Sequence, residues 1–367
     1  MAALQLRMES FGTNLLKMSW SEMESQWMPP HYFVDAGLVK QASEEIRAYL
    51  DEISAEFRQQ PPGQSVFNRR WLPKLAEAGA VLSEQVFRAC DGDRATAADV
   101  RSVIESATEE LGLTVFTDGF VHVPWAFLYR GEPDDVLMDD PDLDGAASLE
   151  DFSHFWLRLF KIYVRYSVNS RISGNKSNRR SFRLLCALNR DLFNQAMRLL
   201  SPDEQERSNK LLQYEVGEAT TWQICKEKWR AIENKNSIVY FFGHSTGEDI
   251  ILEESTRIPA THFSRLFKKR DGVSDTICIL NGCRTGVGPL FDSFIKVTSG
   301  PGFQGFVGTE AEISNHSAAR YGIALMEHIC ENGCTLGEAF AKLQKENFPE
   351  SLFYTCYANP GFKVPKH

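Results

Sequence analysis

Three short β-type segments in the last third of the chain most constrain how it can fold. Residues 238–242 and 277–280 are continuous apolar runs, residues 303–307 form a third segment, and a glycine-containing turn follows each. Helical patterns come between and after these segments, which predicts βαβ units and a largely parallel sheet. Runs without polar alternation are typical of strands covered on both faces. We therefore expect an α/β fold whose central, mostly parallel sheet is flanked by helices on both faces.

The composition of the 367 residues excludes several other classes. Apolar residues make up 43% of the chain, which is too many for intrinsic disorder. The formal net charge of −9 argues against nucleic-acid binding through net charge. No apolar run is long enough for a membrane helix, and Arg7 and Glu9 interrupt the core that a signal peptide would need. We expect a cytoplasmic protein without membrane association, with its eight cysteines reduced.

The rest of the chain is less regular. We expect residues 1–69 to form a mostly helical N-terminal region and residues 70–367 one domain with halves 70–210 and 211–367. We also expect helices over 41–58, 71–88 and 96–111, a hairpin within 113–129, a helix over 152–164 and a flexible basic linker over 170–180.

Two residues with reactive side chains follow successive predicted strands. His244 comes just after the strand at 238–242, and Cys283 just after the strand at 277–280. If a right-handed crossover joins the strands, they can be neighbours about 5 Å apart, with both side chains at one edge of the sheet. A histidine beside a cysteine is what nucleophilic thiol catalysis requires. Isolated cysteines and histidines are more often structural, and we interpret Cys278, inside its strand, in that way.

Glycines flank both residues, and we expect them to let a bound peptide approach the backbone closely. Gly243 and Gly247 surround His244, while Gly282, Gly286 and Gly288 surround Cys283. The backbone amides of Ser245 and Cys283 are then candidates for an oxyanion hole.

These segments resemble a known family. SIVYFFGHSTGED at 237–249 and DTICILNGCRTG at 275–286 are similar to the histidine and cysteine motifs of the CHAT domain family of caspase-like cysteine peptidases, which are related to caspases, separase and gingipains. The resemblance continues through 303–344 and, more loosely, through LTVFTDGFVHVPWAFLY at 113–129 and GEATTWQICKEKWRAIENKN at 217–236. It covers roughly residues 70–362.

The resemblance implies a caspase-like three-layer sandwich and a cysteine endopeptidase. Cys283 would be the nucleophile, His244 the general acid and base, and the amides of Ser245 and Cys283 the oxyanion hole. The family commonly has Gly where this chain has Ser245, and Ala where it has Gly282. Prokaryotic members often serve in antiviral defence, which implies as substrate a specific protein partner such as a gasdermin or another effector. Because no long repeat region is present, we expect a separate activator or an oligomeric assembly.

Acidic residues near these motifs are candidates for substrate binding. In related peptidases the strand and turn that follow the nucleophile line the substrate pocket, and here that turn, GTEAEISN at 308–315, carries Glu310 and Glu312. Both carboxylates could pair with a basic substrate side chain, or both could be ordinary solvated surface groups. Asp292 is a third acidic candidate near the nucleophile loop.

Metal sites are weakly indicated, and we expect no required cofactor. Residues 140–151 match the acidic positions and glycine of a Ca²⁺-binding EF-hand loop, but Asp151 replaces the usual final Glu, and a solvated acidic loop is the alternative. Cys330 and Cys334, with His328 nearby, lack the second pair of ligands that a structural zinc site needs.

Two other functions remain open. A catalytically weak caspase-like module could serve as an interaction or scaffold protein, and an α/β acyl-transfer enzyme could act on small amides. The basic linker at 170–180 is also where a caspase-like peptidase could cleave itself.

Overall fold

The structure is a computed structural model. It describes residues 3–22, 30–90, 94–105, 111–118, 121–133, 144–166, 182–212, 215–232, 236–246, 249–253, 256–259, 262, 276–286 and 303–364. The basic linker at 170–180 and Asp292 lie outside these residues.

The chain divides into two compact units. The first comprises Met1–Glu56 and Val66–Ser167, and the second comprises Phe57–Ser65 and Val168–His367. These limits differ from the expected boundaries at 69/70 and 210/211. Strand pairing explains the first difference, because the N-terminal strand at Ala3–Phe11 pairs with the strand at Leu111–Thr117 and so joins both segments in one sheet.

The first unit is built on a five-stranded sheet. Its elements are, in chain order, β1 (Ala3–Phe11), β2 (Leu15–Glu22), β3 (His31–Asp35), α1 (Ala36–Gln59), α2 (Trp71–Phe87), α3 (Arg94–Glu105), β4 (Leu111–Thr117), α4 (Trp156–Leu159) and β5 (Phe160–Tyr166). The strand order is β3-β2-β1-β4-β5. Strand β4 runs parallel to both β1 and β5, whereas β1, β2 and β3 pair antiparallel.

The expectation of a mostly helical region over 1–69 is therefore wrong for residues 3–22 and 31–35. These residues form the strands β1, β2 and β3, and their buried side chains alternate along each strand. The alternating buried residues are Leu6 and Met8, Leu16, Met18 and Trp20, and Tyr32 and Val34. A spacing of two is the pattern of a strand with one covered face, so the signal was present in the sequence.

Helices α1 and α2 agree with the sequence pattern, but two other predictions in this unit are wrong. In place of the predicted hairpin within 113–129, the described residues contain the strand β4, a short 3-10 turn at Trp125–Phe127 and an isolated bridge between Tyr129 and Phe155. The predicted helix over 152–164 is only one turn, α4, after which the chain continues as β5. Its aromatic residues pack into a cluster in which Trp156 contacts Trp20, Phe87 and Trp125.

The second unit holds a six-stranded sheet in the order β14-β13-β12-β8-β6-β7. Its elements are β6 (Phe182–Leu188), α5 (Arg190–Leu199), α6 (Pro202–Leu212), β7 (Glu215–Ala219), α7 (Trp222–Ile232), β8 (Asn236–Phe242), β9 (His244–Ser245), β10 (Asp249–Glu253), β11 (Thr256–Pro259), β12 (Thr276–Asn281), β13 (Phe303–Thr309), α8 (Asn315–Cys330), α9 (Leu336–Glu346) and β14 (Tyr354–Ala358).

All neighbouring pairs in this sheet are parallel except β13 and β14, which are antiparallel. Every residue of β12 is buried, as expected for a continuous apolar run. The prediction of an α/β chain with parallel strand pairs is thus confirmed. A separate small antiparallel sheet has the order β11-β10-β9 and begins directly after β8.

Candidate active site

The carboxyl ends of β8 and β12 bring the two predicted reactive residues to one edge of the sheet. The two strands are hydrogen-bonded parallel neighbours, with Phe242 directly opposite Asn281. His244 lies two residues beyond Phe242, and Cys283 lies two residues beyond Asn281. The predicted adjacency of these strands is therefore confirmed, and His244 and Cys283 leave the sheet at the same level.

Glycines allow these strand ends to come close together. A Cβ atom on Gly282 would lie only 2.8 Å from the carbonyl oxygen of Gly243 and 3.3 Å from the Cβ of Ser245. A Cβ on Gly243 would lie 2.6 Å from the carbonyl oxygen of Ile251 in β10. We expected these glycines to admit a bound peptide, but the contacts they permit in the structure are between segments of the protein itself.

The small antiparallel sheet positions His244. In β9, His244 stands opposite Ile251 and Ser245 opposite Ile250, both in β10. Asn189, the residue that follows β6, contacts both β8 and β10. Its side-chain amide donates to the Ile251 carbonyl at 3.5 Å, and its backbone N–H donates to the Phe242 carbonyl at 2.7 Å. His244 is exposed, so its imidazole is accessible to a bound molecule and to solvent.

Cys283 lies at the start of a tight turn that covers residues 283–286. The next residue, Arg284, has a φ of 53°, a left-handed conformation that non-glycine residues rarely adopt. The Cys283 side chain is half-buried, and its thiol donates to the Ile313 carbonyl oxygen with an S···O distance of 3.7 Å. Such a backbone conformation is common at functional sites, where surrounding contacts hold it in place.

Burial raises the pKa of the Cys283 thiol above its ordinary value, and the Glu312 carboxylate acts in the same direction. The backbone at Ile313 and the guanidinium groups of Arg58 and Arg284 lower this pKa, each by less than burial raises it. At neutral pH the resting thiol is therefore protonated. Nucleophilic attack by this sulfur would therefore require a base that removes the proton.

Two buried threonines tie the turn after Cys283 to the end of β13. The Thr309 hydroxyl donates to the Gly282 carbonyl at 2.5 Å, and the Thr285 hydroxyl donates to the Leu280 carbonyl at 2.9 Å. Each hydroxyl also accepts the backbone N–H of the other threonine, at 3.3 and 3.0 Å. We call Thr285 and Thr309 the threonine clasp.

A buried polar network lies beneath the same strand end. The Asn281 amide donates to the Tyr240 hydroxyl at 2.9 Å and to the Ala318 carbonyl in α8, and its oxygen accepts from the Tyr354 hydroxyl at 2.7 Å. Residues from β8, α8 and β14 therefore hold the side chain of Asn281, two positions before Cys283. Sequence reasoning missed Asn281 and the clasp, since their partners are distant along the chain.

The acidic candidates for substrate binding have different environments. Glu310 is only 3% exposed, and its carboxylate accepts a hydrogen bond from the Tyr357 hydroxyl. Glu312 is partly exposed and faces two arginines: Oε2 lies 2.5 Å from Arg58 and Oε1 lies 4.0 Å from Arg284. The interpretation of Glu310 as a solvated surface group is therefore wrong, whereas its pairing with a basic substrate side chain stays a prediction.

Arg58 is a residue of this site that the sequence did not indicate. It lies in the last turn of α1, in the short segment Phe57–Ser65 that belongs to the second unit. Because Arg58 and Arg284 both face Glu312, this carboxylate is already paired with cations beside Cys283. A basic substrate side chain would have to compete with both arginines for it.

The residues of the two candidate metal sites make other interactions. Nε2 of His328 forms a hydrogen bond of 2.8 Å with the Glu346 carboxylate, and the Lys342 ammonium donates to Sγ of Cys334 at 3.4 Å. Asp151 forms a capping box with Ser148 and pairs with Arg69 at 3.2 Å, while Asp140 and Asp142 lie outside the described residues. Among the described residues, no group of three or more His, Cys, Asp or Glu side chains could hold a metal ion.

No helix in the described part of the chain is long and apolar enough to cross a membrane. Comparison of the chain with protein-family models finds no matching family. Comparison with curated proteins finds no significant match. The resemblance to caspase-like peptidases therefore depends on the motifs and on the geometry at the ends of β8 and β12.

Proposed function

We propose that the chain is a cysteine endopeptidase related to the CHAT domain family, with the second unit forming the caspase-like sandwich. The observation that carries the proposal is the register of β8 and β12, which sets His244 and Cys283 at equivalent positions on one edge of a parallel sheet. Ligands of open α/β sheets bind at the carboxyl ends of the strands. The pair thus lies where a substrate is expected.

The proposed reaction proceeds through an acyl-enzyme. Sγ of Cys283 attacks the carbonyl carbon of the scissile peptide bond while the thiol proton passes to His244. The imidazolium then protonates the leaving amine as the C–N bond breaks, which leaves a thioester on Cys283. Water, deprotonated by His244, hydrolyses the thioester to release the acid and restore the thiol.

Charge develops on the carbonyl oxygen in both steps. The backbone amides of Cys283 and Ser245 are the proposed donors that stabilise this oxyanion. The close approach of Gly282 to Gly243 and Ser245 supports this assignment, because it keeps the two strand ends together.

The raised pKa of Cys283 bears on the mechanism. Because the resting thiol is protonated, His244 would have to accept the thiol proton during the attack. The same observation also favours the alternative of a catalytically weak scaffold module, since a thiol with a raised pKa is a poorer nucleophile at neutral pH.

Alkylation separates these two functions. We expect iodoacetamide at neutral pH to modify Cys283 much faster than Cys278, whose thiol is fully buried and has its pKa raised by that burial. Equal and slow modification of both cysteines would favour the scaffold.

The proposed substrate is a specific protein partner, such as a gasdermin or another effector in prokaryotic antiviral defence, and the proposed location is the cytoplasm. A separate activator or an oligomeric assembly would trigger cleavage. These assignments derive from the family resemblance.

Co-expression with the proteins encoded beside it tests this function directly. We expect fragments of one partner with the wild-type chain and none with Cys283→Ala or His244→Ala. Cys90→Ala, which removes a half-buried thiol in the first unit, is the matched control and should leave the fragments unchanged. Identical fragments with Cys283→Ala would refute the proposal, and the cut site would define the preferred residue.

A further inference from the structure

The threonine clasp fixes the orientation of one peptide group at the candidate active site. We propose that Thr309 is a positioning residue whose hydroxyl sets the plane of the Gly282–Cys283 peptide and thereby aims the Cys283 N–H at the substrate oxyanion. This inference depends on the proposed function and assigns a role that the family resemblance does not supply.

The direction of each hydroxyl proton follows from the hydrogen bonds. The Thr285 hydroxyl accepts from the Thr309 N–H and has its single proton directed at Leu280, while the Thr309 hydroxyl accepts from the Thr285 N–H. The Thr309 proton is therefore available for the Gly282 carbonyl, which lies 2.5 Å away. Both threonines are fully buried, so water does not compete for these bonds.

The position of the Gly282 oxygen determines the direction of the next N–H. The Gly282–Cys283 peptide is trans, and in a planar trans peptide the C=O and N–H bonds point in opposite directions. Because the carbonyl is held toward Thr309, the Cys283 N–H points away from β13. Rotation of this peptide would break a buried, short hydrogen bond and turn the proposed oxyanion donor away.

The chain after Thr309 holds the other parts of the turn. The Gly286 N–H donates to the Thr309 carbonyl at 2.8 Å, and the Arg284 N–H donates to the Ala311 carbonyl at 3.1 Å. The Ile313 carbonyl accepts the Cys283 thiol. The end of β13 and the residues after it thus contact both the Cys283 thiol and the Gly282–Cys283 peptide.

The test compares two reactions at the same sulfur. With p-nitrophenyl acetate, Sγ attacks the ester carbonyl, its proton passes to His244, the C–O bond breaks, and p-nitrophenolate leaves with a thioester formed. This acylation passes through an oxyanion and needs no knowledge of the peptide substrate. Alkylation by iodoacetamide displaces iodide from carbon, forms no oxyanion and reports thiol reactivity alone. The Cys283→Ala protein supplies the background for both.

Thr309→Val removes the hydroxyl and keeps the shape of the side chain. We expect this variant to slow the acylation of Cys283 by about 10- to 100-fold, which is no more than the loss of rate caused by removing an oxyanion donor outright. The rate of alkylation should stay unchanged. Thr309→Ser, which keeps the hydroxyl, should restore the wild-type ratio of the two rates. Thr276→Val is the matched control, because Thr276 is a fully buried threonine in β12 whose hydroxyl has no hydrogen-bond partner in the described structure.

Unchanged acylation in Thr309→Val, or an equal fall in both rates, would overturn the role of Thr309. If Thr309→Val does not fold, Thr309→Ala removes the same hydroxyl, and a Thr309→Ser protein that lacks the wild-type ratio overturns the inference by itself. Absence of any Cys283-dependent acylation in the wild-type chain would instead refute the proposed function, so the two failures are distinguishable.

Discussion

Replacement of Gly282 by alanine tests the geometry on which the candidate site depends. The new methyl carbon would lie 2.8 Å from the Gly243 carbonyl oxygen, 3.3 Å from the Ser245 Cβ and 3.5 Å from the Thr285 Cγ2. Cβ atoms in proteins essentially never approach another heavy atom closer than 3.0 Å, and the nearest neighbour here is backbone, which cannot rotate away. The ends of β8 and β12 must therefore separate.

The cost of this separation follows from the burial of the site. Overpacking a buried position by one methyl group destabilises a protein by about 1–3 kcal/mol. For a unit of this size, each kcal/mol lowers Tm by about 2–4 °C, so a central value of about 2 kcal/mol predicts a Tm lower by roughly 4–8 °C. We expect the same variant to change the alkylation rate of Cys283, because the turn moves with the strand end.

Thermal unfolding followed by circular dichroism measures the first effect, and iodoacetamide labelling with mass spectrometry measures the second. Gly361→Ala is the matched control, since a Cβ at that position meets its nearest neighbour at 3.4 Å, an ordinary contact. If Gly282→Ala and Gly361→Ala both unfold at the wild-type temperature and label at the wild-type rate, the close approach of the strand ends is wrong.

Three further predictions concern titratable groups of the second unit. Glu312→Gln removes a carboxylate that raises the Cys283 pKa, so the pH–rate profile of iodoacetamide alkylation should move to lower pH; a profile that stays or moves upward contradicts this. Burial, followed by the charge of Arg320, lowers the pKa of His316, while Glu204, Glu350 and the Leu199 backbone oppose this. The unfolded state then binds a proton that the folded state does not, so the unfolding free energy measured in urea should fall as pH drops below about 6.5, and His316→Gln should flatten this dependence. Burial also raises the pKa of the Cys225, Cys330 and Cys356 thiols to about 12. Above about pH 8.5 the unfolded chain loses these protons while the folded chain keeps them, so each thiol should lower the unfolding free energy by up to about 1.4 kcal/mol per pH unit. An unfolding free energy that rises over this pH range would contradict the prediction.

The sequence predicted the strands of the candidate site well because their pattern is unambiguous. Residues 238–242 and 277–280 are apolar without interruption, and they form β8 and β12 in the middle of the sheet. The turns that end them follow from the same pattern, so His244 and Cys283 could be found before their contacts were known.

Prediction failed where local patterns compete. Residues 3–35 carry alternating apolar residues, but a short alternating segment forms a stable strand only when it pairs with another strand. The partner of β1 is β4, which lies more than 100 residues away along the chain, so the local pattern did not predict this pairing. The aromatic residues at 152–164 fit a helix and a strand equally well, and packing against distant aromatic side chains decides between them.

The sequence by itself determined the α/β character of the second unit and the positions of His244 and Cys283, because apolar periodicity and strand-ending glycines are local properties of the chain. Only the tertiary structure decided that Glu310 is buried, that Arg58 and Arg284 face Glu312, and that Thr309 holds the Gly282 carbonyl. These contacts join residues up to 254 positions apart, and their energies depend on burial and distance, which no local pattern encodes.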